Sequence, residues 1–536
     1  MQGFPIVLAA AIFILCSPYV VLGAWLAHAK GLQSLAAYAV SLGLLTWLLV
    51  MVARSWRRFL LIQFPLLLLS SAFAAYTLSY DSPPGQFIAY VLATTSWEEV
   101  KGFLGIWRGM KLLLPAVLIG AIYLWLAVRS PQRPVISGRN VRLRYAFLGA
   151  VLVLSAYAAL NPAALIDGIA TDPVIGTVMF IAGPLKQAEA AVNGTGLQKL
   201  RYGASRIGGE EVHILIVGES ARRDSWSVYG YGRRTTPNLE QLGSEAIFLQ
   251  HAVADANFTT AVVPMLLTGM SPDHFAMNSI RGNLVDLAGE AGYSTAWLMN
   301  QDPHISLLIG VHADHMVFPP SIPTLVAGRL PFDERLLPDL QREIAHHGTA
   351  RFIGLHVIGS HWEYDSRYPA AFERFGSGKG LSYLSVLEQR PDPRVVDAYD
   401  NSVAYTDWFL GQVIEQARTL TVPVTVTYFS DHGEDLYALD GNAGHGTATY
   451  TRHQFDIPAF IWMNGAYRAA HADKVQAIGR NAGKEIRSHN VFYSVADLMG
   501  IAWPGASPAQ SFASASFRPD STTPVIAGDK LVSPPE

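Results

Sequence analysis

The sequence predicts a two-part chain: an N-terminal bundle of five membrane-spanning helices, then a water-facing α/β domain. Three observations predict it. Half of the 536 residues are hydrophobic and 15% are charged, with a mean hydropathy of +0.24, which is too apolar for a water-soluble protein of this length. Five apolar segments free of Lys, Arg, Asp and Glu fill the first third of the chain. Beyond residue 211, short apolar runs alternate with helical stretches, the pattern of parallel strands covered on both faces.

The apolar segments cover residues 4–27, 35–53, 59–80, 112–128 and 145–166, each close to the roughly 20 residues that span a bilayer as helix. The first lacks a basic start and exceeds the apolar core of a secretory signal, so it reads as a retained anchor. Arg54, Arg57 and Arg58 follow the second segment, and Arg129, Arg133, Arg139, Arg142 and Arg144 separate the fourth from the fifth. The positive-inside rule puts both loops in the cytoplasm, against the smaller opposing set Lys101, Arg108 and Lys111. An odd number of spans then sends everything after residue 166 to the outer side. Residues 84–105 read as an amphipathic helix lying on lipid, with Phe87, Ile88, Val91 and Leu92 on one side. The transmembrane domain is thus 1–166, a Gly-, Ala- and Pro-rich linker 167–210, the globular domain 211–503, and a Ser-, Pro- and Ala-rich surface arm 504–536.

Composition excludes some partners and chemistries. The net charge of −3 and the lack of a long basic run give no footprint for nucleic acid. The single cysteine, Cys16, lies in the first apolar segment, which rules out intrachain disulfides and a catalytic thiol in the water-facing domain.

Three strand-like runs in that domain end in polar side chains. VHILIVGES ends at Glu219, FIGLHVIGSH at His361, and PVTVTYFSDH at Asp431 and His432. Parallel sheets carry their sites beyond the carboxyl ends of strands, so these tips meet at one edge. Two carboxylates with an imidazole suit a divalent cation, although an isolated Asp-His pair is more often a capped turn. Glu434 and Asp435 read as solvated loop residues. Ser220 is not in a G-x-S-x-G elbow, and strand alternation points it away from Glu219.

The stretch DANFTTAVVPMLLTG sets Thr259 and Thr260 at a helix N-terminus closed by Gly269. There the dipole favours an anion and a metal would activate a hydroxyl, while a plain N-cap role fits either threonine equally. GNAGHGT holds His445 between glycines, suited to phosphate or to proton transfer or to no task. His356 reads as a satisfied core residue, and His453, His471 and His489 form no constellation. Asn283 opens one helix and Gly292 closes it. Asp400, Asn401 and Asp407, on a long helix over 395–420, read as solvated or capping residues.

Four ordered motifs resemble the bacterial inner-membrane phosphoethanolamine transferases of the alkaline phosphatase and sulfatase superfamily. VGESARRDSWSVYGYGRRTTPNL is similar to the family's VGE-[ST]-AR-x-D…GY-x-R-x-T-x-P-x-L, HVIGSHWEYDSRYP to its H-x-x-GSH-x-x-Y-x-x-RYP, and SDHGEDL…GHG to its DHGE-[SD]-L…HG. FTTAVVPMLLTG matches its T-A-x-x-x-P segment.

The resemblance implies a sulfatase-like α/β/α catalytic domain in the periplasm, with zinc, one ion or two, and manganese as the other candidate. It implies metal ligands Glu219, Thr259, Asp431 and His432, with Thr259 as nucleophile, and phosphate-facing His361 and His445. YVLATTSWEE is similar to N-x-x-x-T-x-x-x-E and carries Thr94 and Glu98 into lipid-headgroup binding, with Tyr90 where the family has Asn. The implied donor is phosphatidylethanolamine, and the acceptor an envelope glycolipid or glycan. Phosphoglycerol transfer or metal-dependent phosphodiester hydrolysis is the alternative within the superfamily. Many members acting on lipid A carry several disulfides, which this chain cannot form. Sulfatase activity itself lacks its Cys or Ser motif.

Overall fold

A computed structural model describes residues 4–80, 106–133, 141–178, 200–276, 279–301, 312–318, 332–378, 391–439, 442–446, 450–528 and 530–534. The chain divides into two units, the first within residues 1–186 and the second essentially 187–536. The expected helix at 84–105, with Thr94 and Glu98, lies outside the described residues.

In the first unit, α1 (Phe4–Ala29), α2 (Leu32–Ala53) and α3 (Trp56–Tyr80) are long and apolar enough to cross a bilayer. They are followed by α4 (Ile106–Arg129) and α5 (Val141–Ala159). Hydrogen bonds from side chains to backbone carbonyls tie them together, Tyr38 Oη to Tyr19 O at 3.1 Å and Tyr123 Oη to Leu60 O at 2.8 Å. In an apolar surrounding such donors need a protein partner.

The segment 145–166, expected as one span, is broken. Pro162 has no N–H to extend the ladder of α5, and Asn161 Oδ1 accepts from Ala164 N at 3.3 Å, which starts α6 (Pro162–Thr171). Residues 167–171 and 173–178, expected as linker, are helical too, with Asp172 as the break between them. Asp172 is fully buried among them, accepting from Ser41 Oγ at 2.7 Å and from the amides of Val174 and Ile175.

The second unit is built on a seven-stranded sheet: β1 (Val212–Gly218), β2 (Ala246–Phe248), β3 (Ser294–Met299), β4 (His315–Val317), β5 (Arg351–His356), β6 (Val424–Ser430) and β7 (Ala459–Met463). The spatial order is β2-β7-β6-β1-β5-β3-β4, with β7 antiparallel to its two neighbours. Every residue of β1, β5 and β6 is buried, as the unbroken apolar runs foretold. Leu215, Val217, Phe352 and Phe429 pack on one face with α7 (Thr259–Thr268). Ile214, Ile216, Leu355 and Tyr428 pack on the other with α8 (Pro393–Arg418).

Register decides where the polar tips emerge. Gly218 pairs with Ser430, and Val217 with both Phe429 and His356. The three central parallel strands therefore stop together, and Glu219, Asp431 and the turn after His356 leave from the same edge.

Two expectations are corrected, the solvated reading of the acids on α8 by inward hydrogen bonding and the surface arm by buried apolar side chains, while Asp407 does cap a helix start. Asp400, Asn401 and Asp407 of α8 are fully buried. Asp400 accepts from Tyr231 and Arg233, Asn401 from the amides of Arg374 and Phe375, and Asp407 from the amides of Asn238 and Leu239 at a helix start. The segment 504–536 is no surface arm, because Phe512, Phe517, Val525 and Ala527 are buried and Arg487 donates to Thr523 O and Pro524 O, both at 3.0 Å.

Candidate metal centre

Just past β1 and β6, Glu219, Asp431 and His432 are buried with one ligand atom from each within 4.8 Å of the others. His432 Nε2 lies 3.5 Å from Glu219 Oε1 and 3.4 Å from Asp431 Oδ2. Its Nδ1 is 2.8 Å from Gly433 O and donates to it, so Nε2 presents a lone pair to the carboxylates.

Thr259 is the first residue of α7, with Phe258 rather than either threonine as the capping residue. Its Oγ1 is 3.2 Å from Glu219 Oε2 and 3.2 Å from His432 Nε2. Thr260 Oγ1 is buried without a hydrogen-bond partner and does not reach the cluster. The structure thus separates the two threonines that the helix-start pattern left equivalent.

The donor set fits a cation. Burial, and next the charge of Asp431, push the Glu219 carboxyl well above its usual range. Among the described residues no Lys or Arg ion pair reaches either carboxylate, and Asp431 Oδ2 has no hydrogen-bond donor. Two buried carboxylates, a neutral imidazole lone pair and a hydroxyl, all directed at one point, are what a divalent ion would satisfy.

Backbone geometry holds the cluster together. Ser220 has φ 51°, and this left-handed turn aims its N–H at Asp431 Oδ1 (3.0 Å) and lets its Oγ donate to Glu219 Oε1 (2.7 Å). The expected outward alternation therefore fails at this residue. Gly359 has φ 48°, and a Cβ there would lie 2.8 Å from Glu219 O, so only glycine lets the 357–361 turn pass so close. Buried Asp333 anchors that turn through the amides of Ile358 (2.9 Å) and Gly359 (3.0 Å).

His361 and His445 flank the cluster. The His445 ring centroid is 4.2 Å from that of His432 and 6.2 Å from that of His361. Glu434, expected in solvent, is fully buried, and its Oε2 is 3.0 Å from His445 Nδ1. Asp435 is buried as well, accepting from Thr451 Oγ1 at 2.9 Å. Trp362 Nε1 donates to His445 Nε2 at 3.2 Å, which leaves the ring proton on Nδ1, directed at Glu434. Desolvation holds His445 neutral, pushed down to about 4, and raises Glu434 to about 8. Among the described residues His361 Nδ1 is buried with no hydrogen-bond partner, and burial lowers its basicity also.

Sequence reasoning missed Gln301, whose Nε2 donates to Glu219 Oε2 at 2.5 Å. Its position two residues past β3, at the same sheet edge, was the available signal. His453, His471 and His489 pair with Asp224, Glu211 and Asp255 outside the cluster. His356 is buried as expected but not satisfied, since neither ring nitrogen has a hydrogen-bond partner.

A family model described as Sulfatase matches residues 212–501, more than half of the chain. The chain is 31% identical over 263 residues to the putative transferase YhbX of Escherichia coli, which covers 48% of this chain and 44% of that protein, less than half its length. It is 23% identical over 492 residues to phosphoethanolamine transferase EptC of Escherichia coli, 84% of this chain and 81% of that one. The integral membrane lipooligosaccharide phosphoethanolamine transferase A of Neisseria meningitidis shares the fold across 96% of this chain and 99% of its own, with TM-score 0.71 and 20% identity. The periplasmic domain of the Escherichia coli EptC, solved in complex with Zn, aligns over 63% of this chain and 96% of its own, with TM-score 0.53 and 22% identity.

Proposed function

The chain belongs to the sulfatase family, and on that premise we propose that it transfers phosphoethanolamine from phosphatidylethanolamine to an envelope glycolipid or glycan through a covalent adduct on Thr259. One observation carries the reading: the Thr259 hydroxyl lies at the start of a helix within 3.3 Å of Glu219 and His432. A hydroxyl in that position can become a nucleophile. The kinship with proteins named phosphoethanolamine transferases supplies the substrate class.

Glu219, Asp431, His432 and Thr259 would hold zinc, which when bound supplies the charge that acidifies the threonine hydroxyl and offsets the phosphoryl oxygens. The rest falls to the chain. Thr259 Oγ1 passes its proton to Nε2 of His445, directly or through water, and attacks phosphorus; the bond from phosphorus to the diacylglycerol oxygen breaks, and that oxygen takes the proton from Nε2. His361 and the positive end of α7 stabilise the non-bridging oxygens. Glu434 keeps His445 in one tautomer. An acceptor hydroxyl or phosphate then attacks the adduct and frees Thr259. Thr94 and Glu98 would bind the lipid headgroup.

A lipid donor explains the apolar helices on the same chain. In this reading five spans cross the inner membrane, the Arg clusters face the cytoplasm, and the catalytic unit is periplasmic.

The experiment incubates the purified zinc-loaded protein with headgroup-labelled phosphatidylethanolamine or phosphatidylglycerol. Diacylglycerol release from the first, with labelled phosphoethanolamine on the Thr259 peptide and none in Thr259→Ala, is expected. Release from phosphatidylglycerol alone, or release without an adduct, would favour the phosphoglycerol transferase or phosphodiesterase instead.

A further inference from the structure

Three residues of the candidate site come from separate segments, yet their chain neighbours meet at one residue, two at its side chain and one at its backbone carbonyl. Gln454 is 4% exposed and ends a short turn over Arg452–Gln454. Its Oε1 accepts from Asn257 Nδ2 at 2.8 Å, two residues before Thr259. Its Nε2 donates to Gly444 O at 2.9 Å, the residue before His445. Its backbone carbonyl accepts from Gly433 N at 2.8 Å, the residue after His432.

The amide orientation is determined by its partners. Gly444 O can only accept, which demands Nε2 on that side. Asn257 Oδ1 is occupied by Gly528 N at 3.1 Å, which turns the Asn257 Nδ2 towards Gln454. Asn257 N is itself held by Ile526 O at 3.1 Å, so the contact is braced from behind. On the third side there is no slack, because a Cβ on Gly433 would lie 2.1 Å from His453 O.

We propose that Gln454 is a positioning residue that sets Thr259, His432 and His445 in mutual register, so that nucleophile and proton donor address the same phosphorus. The inference rests on the function proposed above. Displacements of about 1 Å at such positions cost on the order of 100-fold in rate, and partners one shell removed from a metal site cost about 10- to 100-fold.

Single-atom exchanges separate the two arms of the strut. Gln454→Glu keeps the acceptor for Asn257 but faces an oxygen towards Gly444 O, and Asn257→Asp does the reverse. In the full-length zinc-loaded protein, Gln454→Glu is expected to lower kcat for headgroup transfer about 10- to 100-fold. KM and zinc content should stay at wild-type values, measured below a Tm that the newly buried carboxylate lowers. Amide hydrogen exchange should rise at 442–446 in Gln454→Glu and at 255–260 in Asn257→Asp, a readout independent of the donor lipid.

Wild-type kcat and local exchange in Gln454→Glu would overturn the proposal, as would a rate loss that merely tracks lost zinc. Failure of the wild-type protein to act on phosphatidylethanolamine would instead strike the proposed function, and the exchange pattern would still decide this one.

Discussion

The Oε2 atom of Glu434 lies 3.0 Å from Nδ1 of His445, and with the Trp362 indole N–H on Nε2 this contact places the neutral ring's proton on Nδ1. With the ring proton on Nδ1, the Nε2 lone pair is the one that would take a proton in the proposed transfer, in place of the Trp362 N–H it accepts. Replacing the carboxyl by an amide, in Glu434→Gln, removes the negative charge that would stabilise His445 whenever it carries the transferred proton. Above about pH 8, where the Glu434 carboxyl is ionised, transfer activity should fall about 100-fold or more with little change in KM, as expected when an orienting carboxylate is lost. Steady-state kinetics with labelled phosphatidylethanolamine checks it.

Metal removal should destabilise the protein, because Glu219 and Asp431 then sit buried with no cation between them. Adding zinc to chelator-treated protein should raise Tm. Glu219→Gln should bind less zinc by elemental analysis, yet melt at or above the wild type when both are metal-free, since one buried charge has gone. Metal-free Glu219→Gln melting well below metal-free wild type would contradict this account of the site.

Asp407 gives a pH signature away from the candidate site. Burial raises its carboxyl to about 6 from an ordinary 3.8. A group whose folded pKa is raised binds more protons in the folded state, so its contribution to stability falls as pH climbs from about 4 to about 6 and levels off above. At about 1.4 kcal/mol per unit the full change is about 3 kcal/mol. Asp407→Asn lacks this titration, so the stability gap between wild type and variant should be larger at pH 4.5 than at pH 7, read as denaturation midpoints in detergent.

Gly359→Ala should cost about 1–3 kcal/mol, since its φ of 48° is unfavourable to a side chain and the new methyl group would press on Glu219 O at 2.8 Å. The same push moves Glu219, so zinc affinity should drop together with Tm. Parallel isothermal titration and thermal melts measure both.

The strands and their polar tips were legible, because fully buried parallel strands announce themselves as apolar runs and their register brings the tips to one edge. Helix starts were legible too, as the capping box of Asn283 with Asp286 illustrates. Ser220 was misread because alternation presumes extended backbone, and nothing local announces a left-handed turn. Glu434, Asp435 and the acids of α8 were misread because charge usually means solvent. Their buried partners, among them His445, Thr451, Tyr231 and the amides of Asn238 and Leu239, come from distant segments. Gln301 and Gln454 carry no charge and belong to no quoted motif, so the one signal was position, and for Gln301 alone, two residues past β3. The 504–536 segment deceived by composition, its few aromatic residues doing the anchoring.

Glu219 and Asp431 hang from adjacent strands, so their separation is inherited from the interval of about 4.8 Å between hydrogen-bonded strands. That interval belongs to every sheet and owes nothing to the connections between strands. Insertions or deletions in those connections can reshape whatever lies above the edge without disturbing the cradle below. Recognition of new acceptors could therefore diversify in evolution at no penalty to the chemistry.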